Sequence, residues 1–381
     1  MTVPTQSRAR LSNALILSFV ILLCWSPVFA GGAKYVLKQD FVNFYVAATM
    51  ALDGDLARLH DPAVFTAKES DLGRTDFLPF ARPHFYAVML SPVGLFEFPY
   101  PAFAVWVAVF GAVLIFTVVL AVRRWGPDAM VIAAFSGAAT SIFIGHETVW
   151  LLFLLVVSYL LAEKGREAAA GLVLSLVLAK FHLILLFPLF MLKQRRFGML
   201  SGFCAGGFVL VLVSAALGGM TGVENYVDLL LSNNDIEYWH PEADRMPNLW
   251  SMPLSWGLPE STHLLFSLIA CGIAVFAAFR AAGTELWRLY TLAITASLLV
   301  APHTWWYDFG LMLLPVWLIG QYSSRFASRL TGMAIASPIP FALSVSNYPV
   351  AASLETVLLL ILVGSLTLGA PSVEPEGIAE S

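Results

Sequence analysis

Long apolar stretches alternate with short hydrophilic gaps along most of this chain. A helix needs about 20 apolar residues to cross a hydrocarbon core of about 30 Å, and somewhat shorter helices can cross where the bilayer thins. Eight stretches meet this condition, at residues 11–30, 101–122, 197–219, 263–281, 286–302, 308–322, 330–347 and 350–369. The pattern predicts an all-α polytopic membrane protein.

Composition supports this prediction. The 381 residues are 59% hydrophobic and only 12% charged, whereas soluble domains carry about 25% charged residues. The stretch 11–30 follows a basic start and resembles a signal peptide, but it is long and has no clear small-residue cleavage site. We therefore expect it to remain as the first membrane helix.

The basic residues indicate how the chain is oriented, because cytoplasmic loops of membrane proteins carry an excess of Lys and Arg. Most of them fall in the short gaps between apolar stretches, which we therefore assign to the cytoplasm together with the N-terminus. Two longer segments, 31–100 and 220–262, lean acidic and are predicted to be outer loops, the first containing amphipathic helices. Residues 1–370 are predicted to form one membrane domain, and 371–381 a disordered cytoplasmic tail.

The cytoplasmic assignment of both Arg166 and Lys193 conflicts with a single helix between them. Two half-length helices that enter the membrane and return would resolve the conflict and would meet near Lys180 and His182. Irregular backbone at this depth is tolerated only inside protein or beside a wet cavity, so the meeting point should line a cavity. The same reasoning makes 129–144 rise and 148–162 return, for about ten to twelve membrane helices in total, some of half length.

The unusual polar residues are thereby predicted to converge on the outer side of the membrane. Ionisable groups at membrane depth are costly and are therefore functional candidates. The set mixes carboxylates that can accept a proton with cations that can bind an anion, which suits a phosphate-bearing lipid substrate. It comprises Asp40, Arg82, His84, His146, Glu147, Lys180, His182, Arg245, Asn248, His303, Trp305, Tyr307 and Asp308.

Simpler structural roles compete with this interpretation. Asp40 is well placed to cap the helix that follows it, and Asp53 and Asp55 around Gly54 are ordinary turn residues. Glu147 could serve only a helix dipole.

The remaining candidates have simpler roles as well. Arg82 with His84 would suit a headgroup boundary, and His303 an aromatic belt. The common motifs of soluble catalysis, of metal sites and of nucleic-acid binding are absent from the sequence. No metal, cofactor or nucleic-acid partner is therefore expected.

Five segments, taken in order, resemble a known family. They are "DFVNFYVAATMALDGD" from Asp40, "MLSPVGLF" at 89–96, "GHETVWLLFLL" from Gly145, "GLVLSLVLAKFHLILLFPLFMLKQRR" from Gly171 and "APHTWWYDFGLMLLP" from Ala301. Together they resemble, over roughly residues 11–322, the polyprenol-phosphate-mannose-dependent mannosyltransferases of glycosyltransferase family 87, in the glycosyltransferase-C superfamily. The match is incomplete, since the family's His-His pair is replaced by Tyr307-Asp308 and its Tyr-Pro-Pro by a segment that begins at Arg82.

This resemblance implies a glycosyltransferase-C-like fold and a membrane enzyme that uses a polyprenyl-phosphate sugar, with mannose expected. Asp40 matches the superfamily's catalytic carboxylate and would act as base in an inverting single displacement. Lys180, His303, Arg82 and His182 are then candidates for binding the donor phosphate. The other candidates listed above would contact the sugar or acceptor, and the expected partners are membrane lipid, the polyprenyl-phosphate donor and a lipid or glycan acceptor.

Two rival functions remain open at this point. A lipid or solute transporter could use the half-helices around Lys180 as its substrate site, as broken-helix carriers do. A pentosyltransferase is the nearest rival within the same class. The acceptor, the linkage and the oligomeric state are not determined by the sequence.

Overall fold

The computed structural model describes residues 34–74, 78–135, 138–231, 246–259, 261–281, 285–337 and 349–368. These residues form an all-α membrane protein, and no strand occurs among them. The predicted first membrane helix at 11–30 and the predicted tail at 371–381 lie outside the described residues.

The described helices are numbered here in chain order. They are α1 Phe41–Leu52, α2 Pro62–Asp71, α3 His84–Gly94, α4 Pro99–Trp125, α5 Asp128–Phe135, α6 Ala138–Phe143, α7 Thr148–Glu163, α8 Glu167–Ser175, α9 Phe187–Lys193, α10 Phe197–Leu231, α11 Met252–Ser255, α12 Thr262–Arg280, α13 Leu286–Val300, α14 Leu313–Tyr322, α15 Phe326–Ala336 and α16 Pro349–Thr367. Three 3₁₀ segments accompany them, Leu56–Arg58, Leu176–Ile184 and Trp306–Met312.

Four helical stretches are long and apolar enough, among the described residues, to cross a membrane. They are Pro99–Trp125, Glu167–Ile184, Phe197–Leu231 and Thr262–Arg280. The stretch predicted at 308–322 starts instead with the 3₁₀ segment Trp306–Met312, because the Asp308 carboxylate accepts a hydrogen bond from the Trp305 amide and tightens this turn. Only its second half is α-helical.

Helix α4 shows how local sequence sets such a helix. Pro99 occupies its first turn, where the missing amide hydrogen costs nothing, and Arg123 and Arg124 complement the helix dipole in its last turn. Gly126 ends the helix with φ +94°, a conformation that glycine adopts without strain. At about 1.5 Å per residue, α4 is about 40 Å long.

The basic gaps meet at one end of the molecule, called here the Arg124 end. Arg124 at the end of α4 forms an ion pair of 2.6 Å with Glu163 at the end of α7. Arg196, just before α10, forms one of 2.8 Å with Glu167 at the start of α8. Segments 128–163 and 167–196 therefore both leave this end and return to it, as the sequence predicted.

The first predicted outer loop forms a packed unit around helix α1. Helix α1 is not amphipathic, since nine of its twelve residues are buried. It is covered by α3, where a Cβ added at Gly94 would lie 2.8 Å from the backbone of Ala48, and by Phe103 and Trp106 of α4, which contact Phe41. A helix covered on all sides is apolar all round.

The second predicted outer loop, 220–262, begins in helical structure. Helix α10 changes direction at Gly219, with φ +62° and ψ −172°, and then continues to Leu231. This last part lies over the first outer loop, where Asn225 donates a hydrogen bond of 3.3 Å to the Ala57 carbonyl. Residues 232–245 lie outside the described part of the chain.

Candidate active site

Asp40 lies immediately before α1, and its carboxylate is available for chemistry. Among the described residues the side chain makes no capping hydrogen bond to the helix, so capping does not explain this aspartate. The preceding carbonyl, of Gln39, accepts a hydrogen bond of 2.7 Å from Arg74. The Asp40 side chain is 33% exposed, so one face of the carboxylate is accessible.

His146 contacts Asp40 from the turn between α6 and α7. Its Nε2 lies 2.5 Å from Asp40 Oδ2, although the two residues are 106 positions apart in sequence. Gly145 makes this approach possible: its φ is +80°, and an added Cβ would overlap the Cβ of Phe41. The turn thus packs its backbone directly against the start of α1.

Arg82 and Glu147 form a buried ion pair behind His146. Arg82 Nε and Nη2 both lie 2.7 Å from Glu147 Oε1, and Glu147 is fully buried. The other carboxylate oxygen, Glu147 Oε2, lies 3.5 Å from His146 Nδ1. Arg82 is therefore occupied by a protein carboxylate and is not placed as a free anion-binding group.

Charges set the protonation of this group of residues. Burial alone would raise the pKa of Asp40, but the hydrogen bond and charge of His146, with the charges of Arg74 and Lys180, lower it. Burial alone would lower the pKa of His146, but the hydrogen bond and charge of Asp40 raise it. Each partner therefore favours the charged form of the other, the carboxylate of Asp40 and the imidazolium of His146.

Lys180 lies at the break between the two half-helices, as the sequence predicted. Its backbone leaves helical geometry, with φ −129° and ψ 62°, and its ammonium lies 2.5 Å from Asp308 Oδ1. Both side chains are buried, with 1% and 0% exposure. The partnership with Asp308 was not foreseen, and it means that the Lys180 charge is already balanced within the protein.

Tyr307 connects these two charged groups. Its ring stacks on His146 with centroids 3.7 Å apart, and the Lys180 ammonium lies 5.1 Å from the same ring. Asp40, His146, Lys180 and Asp308 thus converge at the end of the molecule opposite the Arg124 end.

A third group of candidates lies beside Lys180. His182 is on the same 3₁₀ segment, half-buried, with its ring centroid 6.1 Å from that of His303. Trp305 donates a hydrogen bond of 3.1 Å from its indole nitrogen to His303 Nε2. His182, His303 and Trp305 are each only partly buried, so they are the candidates best placed to contact a ligand.

Two of the predicted site residues make contacts in other parts of the structure, and a third lies outside the described residues. His84 is buried against α10, where an added Cβ at Gly218 would lie 2.5 Å from its Nε2, and its ring contacts His60. Asn248 is fully buried, and its side-chain oxygen accepts a hydrogen bond of 2.8 Å from the Ser251 amide. Arg245 lies outside the described residues.

Sequence reasoning missed one residue of the site. Arg74 binds the Gln39 carbonyl and contributes a positive charge near Asp40. Its Nε also lies 3.9 Å from Glu69. The signal in the sequence was a basic residue, Arg74, in an acidic-leaning loop five positions after Glu69.

Within the described ranges, no group of three or more His, Cys, Asp or Glu side chains is arranged to hold a metal ion.

Comparison with known proteins now defines the class. The sequence model of glycosyltransferase family 87 matches residues 80–302, more than half of the chain. The chain belongs to glycosyltransferase family 87. Comparisons with curated proteins and with solved structures gave no match.

Membership of family 87 makes this protein a membrane glycosyltransferase, and it sets aside the transporter alternative. The matched region of this family 87 protein includes His146, Glu147 and Lys180, whereas Asp40 and Asp308 lie outside it. The contacts described above are therefore what joins Asp40 and Asp308 to the region that carries the family signature.

Proposed function

We propose that this family 87 protein transfers a sugar, with mannose the proposed one, from a polyprenyl-phosphate-linked donor to a lipid or glycan acceptor. The reaction is an inverting single displacement at the outer face of the cell membrane, with Asp40 as base. The observation that carries the proposal is the Asp40 carboxylate itself, ionised by its partners and 33% exposed at the start of a rigid buried helix.

The proposed chemistry needs one base. The acceptor hydroxyl oxygen forms a bond to the anomeric carbon while the bond from that carbon to the phosphate oxygen breaks. The hydroxyl proton goes to Asp40, and the electron pair of the broken bond leaves with the polyprenyl phosphate. Since a phosphate is already a good leaving anion, no general acid is required. Attack from the face opposite the phosphate inverts the anomeric centre.

The charge balance of the site indicates where the phosphate would bind. Asp40, Glu147 and Asp308 are matched by His146, Arg82 and Lys180, so this set contributes no net positive charge. A bound phosphate therefore needs additional donors, and the partly buried residues His182 and His303 beside Lys180 can supply them. We assign to these two histidines the direct contact with the phosphate. The Lys180 ammonium would stabilise the phosphate charge electrostatically from a longer distance.

Aromatic residues beside these imidazoles would contact the sugar. Trp305 and Tyr307 have nearly parallel rings, 14° apart, with centroids 6.4 Å apart. Trp305 is the more open of the two, which suits packing against the apolar face of a sugar ring.

The orientation of the protein follows from its basic end. The Arg124 end carries Arg124, Arg196 and their acidic partners, and Lys and Arg are enriched on the cytoplasmic side of membrane proteins. We therefore propose that the Arg124 end is cytoplasmic and that the Asp40 end faces outward.

The test is a transfer assay with purified protein, membrane lipid extract and polyprenyl-phosphate mannose labelled in the sugar. We expect the wild type to produce a labelled product that is more polar than the unmodified acceptor. Asp40→Asn should lose about 10²- to 10⁴-fold in rate while still binding the donor, because this is what a positioned base contributes. A labelled pentosyl donor run in parallel tests the choice of sugar.

Asp53→Asn is the matched control, since Asp53 ends the same helix and pairs with Lys68 at the surface. It should keep wild-type transfer. Wild-type rates in Asp40→Asn would refute the base assignment. Consumption of the pentosyl donor alone would refute mannose and retain the reaction type.

A further inference from the structure

His146 has the geometry of a residue that acts on Asp40 and not on substrate. Its side chain is 6% exposed, against 33% for Asp40. Phe44 contacts the imidazole edge to face with ring centroids 6.0 Å apart, and Tyr307 covers one face of the ring. A side chain covered in this way cannot be the main contact for a sugar.

The hydrogen bond between the two residues divides the roles of the two carboxylate oxygens. Oδ2 of Asp40 is bonded to His146 Nε2, while Oδ1 makes no hydrogen bond with any residue in the described ranges. Oδ1 is therefore the oxygen that keeps both of its acceptor positions open to an incoming hydroxyl.

We propose that His146 is the positioning residue for Asp40: it binds Oδ2 and thereby orients Oδ1 toward the acceptor hydroxyl. The inference rests on the proposed function, since it concerns the same base. Glu147 and Arg82 extend the arrangement, because the Glu147 carboxylate lies 3.5 Å from His146 Nδ1 and is itself paired with Arg82. The imidazole thus has a carboxylate near each nitrogen, bonded at Nε2 and 3.5 Å away at Nδ1.

Other charged groups face this pair from the packed elements around it. Arg74 acts on Asp40 from the outer loop, and Lys180 acts on both residues from the 3₁₀ segment. The charge of Asp40 also contributes to raising the pKa of Glu69 of α2. Asp308 is paired with Lys180 and reduces the influence of that ammonium. His146 is the one of these groups that bonds directly to the carboxylate.

Two substitutions separate positioning from packing. His146→Phe keeps an aromatic ring against Tyr307 and removes the hydrogen bond and the charge. His146→Gln keeps a neutral donor for Oδ2. His263→Gln is the matched control, because His263 is also a buried histidine but lies at the start of α12 against Trp250.

The expected kinetic result is a loss in kcat with little change in KM for the donor. We expect about 10²-fold for His146→Phe and about 10-fold for His146→Gln, the ordering set by the retained donor. The acid limb of the kcat/KM profile should move to higher pH in both variants, because burial then acts on Asp40 without its main counter-charge. An increased KM with unchanged kcat would overturn the proposal in favour of a substrate contact.

A second measurement does not depend on sugar transfer. A water-soluble carbodiimide with an amine nucleophile labels carboxyl groups in their protonated form, and peptide mass spectrometry reports the labelling of Asp40 against pH. The labelling midpoint should rise by at least about 1 pH unit in His146→Phe, since a nearby opposite charge shifts a carboxyl by about 1 to 3 units. It should stay at the wild-type value in His263→Gln.

The two readouts distinguish the possible failures. An unchanged labelling midpoint in a folded His146→Phe protein would overturn the positioning role. A shifted midpoint together with a fully active Asp40→Asn variant would overturn the proposed function instead.

Discussion

The buried pair between Lys180 and Asp308 predicts a large and specific loss of stability when one partner is removed. Both side chains are almost completely buried, at 1% and 0% exposure, and the two charged atoms lie 2.5 Å apart. In Asp308→Asn the amide keeps the shape of the side chain but leaves the Lys180 ammonium without its counter-charge. Breaking a buried pair from one side costs about 3 to 5 kcal/mol.

The lower part of this range is expected here. Asp308 also accepts hydrogen bonds from the Trp305 amide and, at 3.5 Å, from Thr148 Oγ1. An asparagine oxygen can preserve one of these, so the charge is the main loss. We expect the free energy of unfolding to fall by about 3 kcal/mol. The assay is unfolding by a denaturing detergent in mixed micelles, followed by tryptophan fluorescence.

A double variant identifies the cause. The double variant Lys180→Met with Asp308→Leu removes both charges. Its loss of unfolding free energy should be about 2 kcal/mol smaller than the summed losses of the single variants Lys180→Met and Asp308→Leu. Arg124→Gln serves as control at the exposed pair with Glu163, where the arginine side chain is 40% exposed and the cost should stay below about 1 kcal/mol. Additive single effects, or a loss below about 1 kcal/mol in Asp308→Asn, would refute the reasoning.

Two further predictions concern the packing around the site. Gly145→Ala should abolish most transfer and lower the unfolding midpoint, because its new Cβ overlaps Phe41 and φ is +80°; Gly54→Ala, at φ +75° with no atom within 4 Å, should keep activity, and equal losses would refute the steric argument. Burial, joined for His60 by the neighbouring His84, lowers the pKa of His60 to about 3 and that of His84 to about 4. The unfolded chain therefore binds protons first as pH falls below about 6.5, so the free energy of unfolding should decrease from pH 7 to pH 5, and less steeply in His60→Phe.

The candidate site was only partly predictable. Asp40 and Lys180 were identified because a polar residue beside an apolar helix, or within one, is conspicuous in a membrane protein. How they pair was not predicted, although His146 and Asp308 were also candidates, since His146 lies 106 positions from Asp40 and Asp308 lies 128 positions from Lys180. His84 and Asn248 are equally conspicuous as polar residues near apolar stretches. In the structure they make other contacts, His84 with His60 and Asn248 with Ser251.

The hydrophobic pattern determined that this is an all-α membrane protein. The placement of its basic residues determined that two segments return to the Arg124 end. These properties follow from local rules, because a bilayer imposes helix length and charge placement on each segment separately. The tertiary structure alone decided which charges neutralise each other and which carboxylate stays accessible. Those outcomes depend on contacts between distant segments, where a glycine at 145 or a break at Lys180 sets the approach.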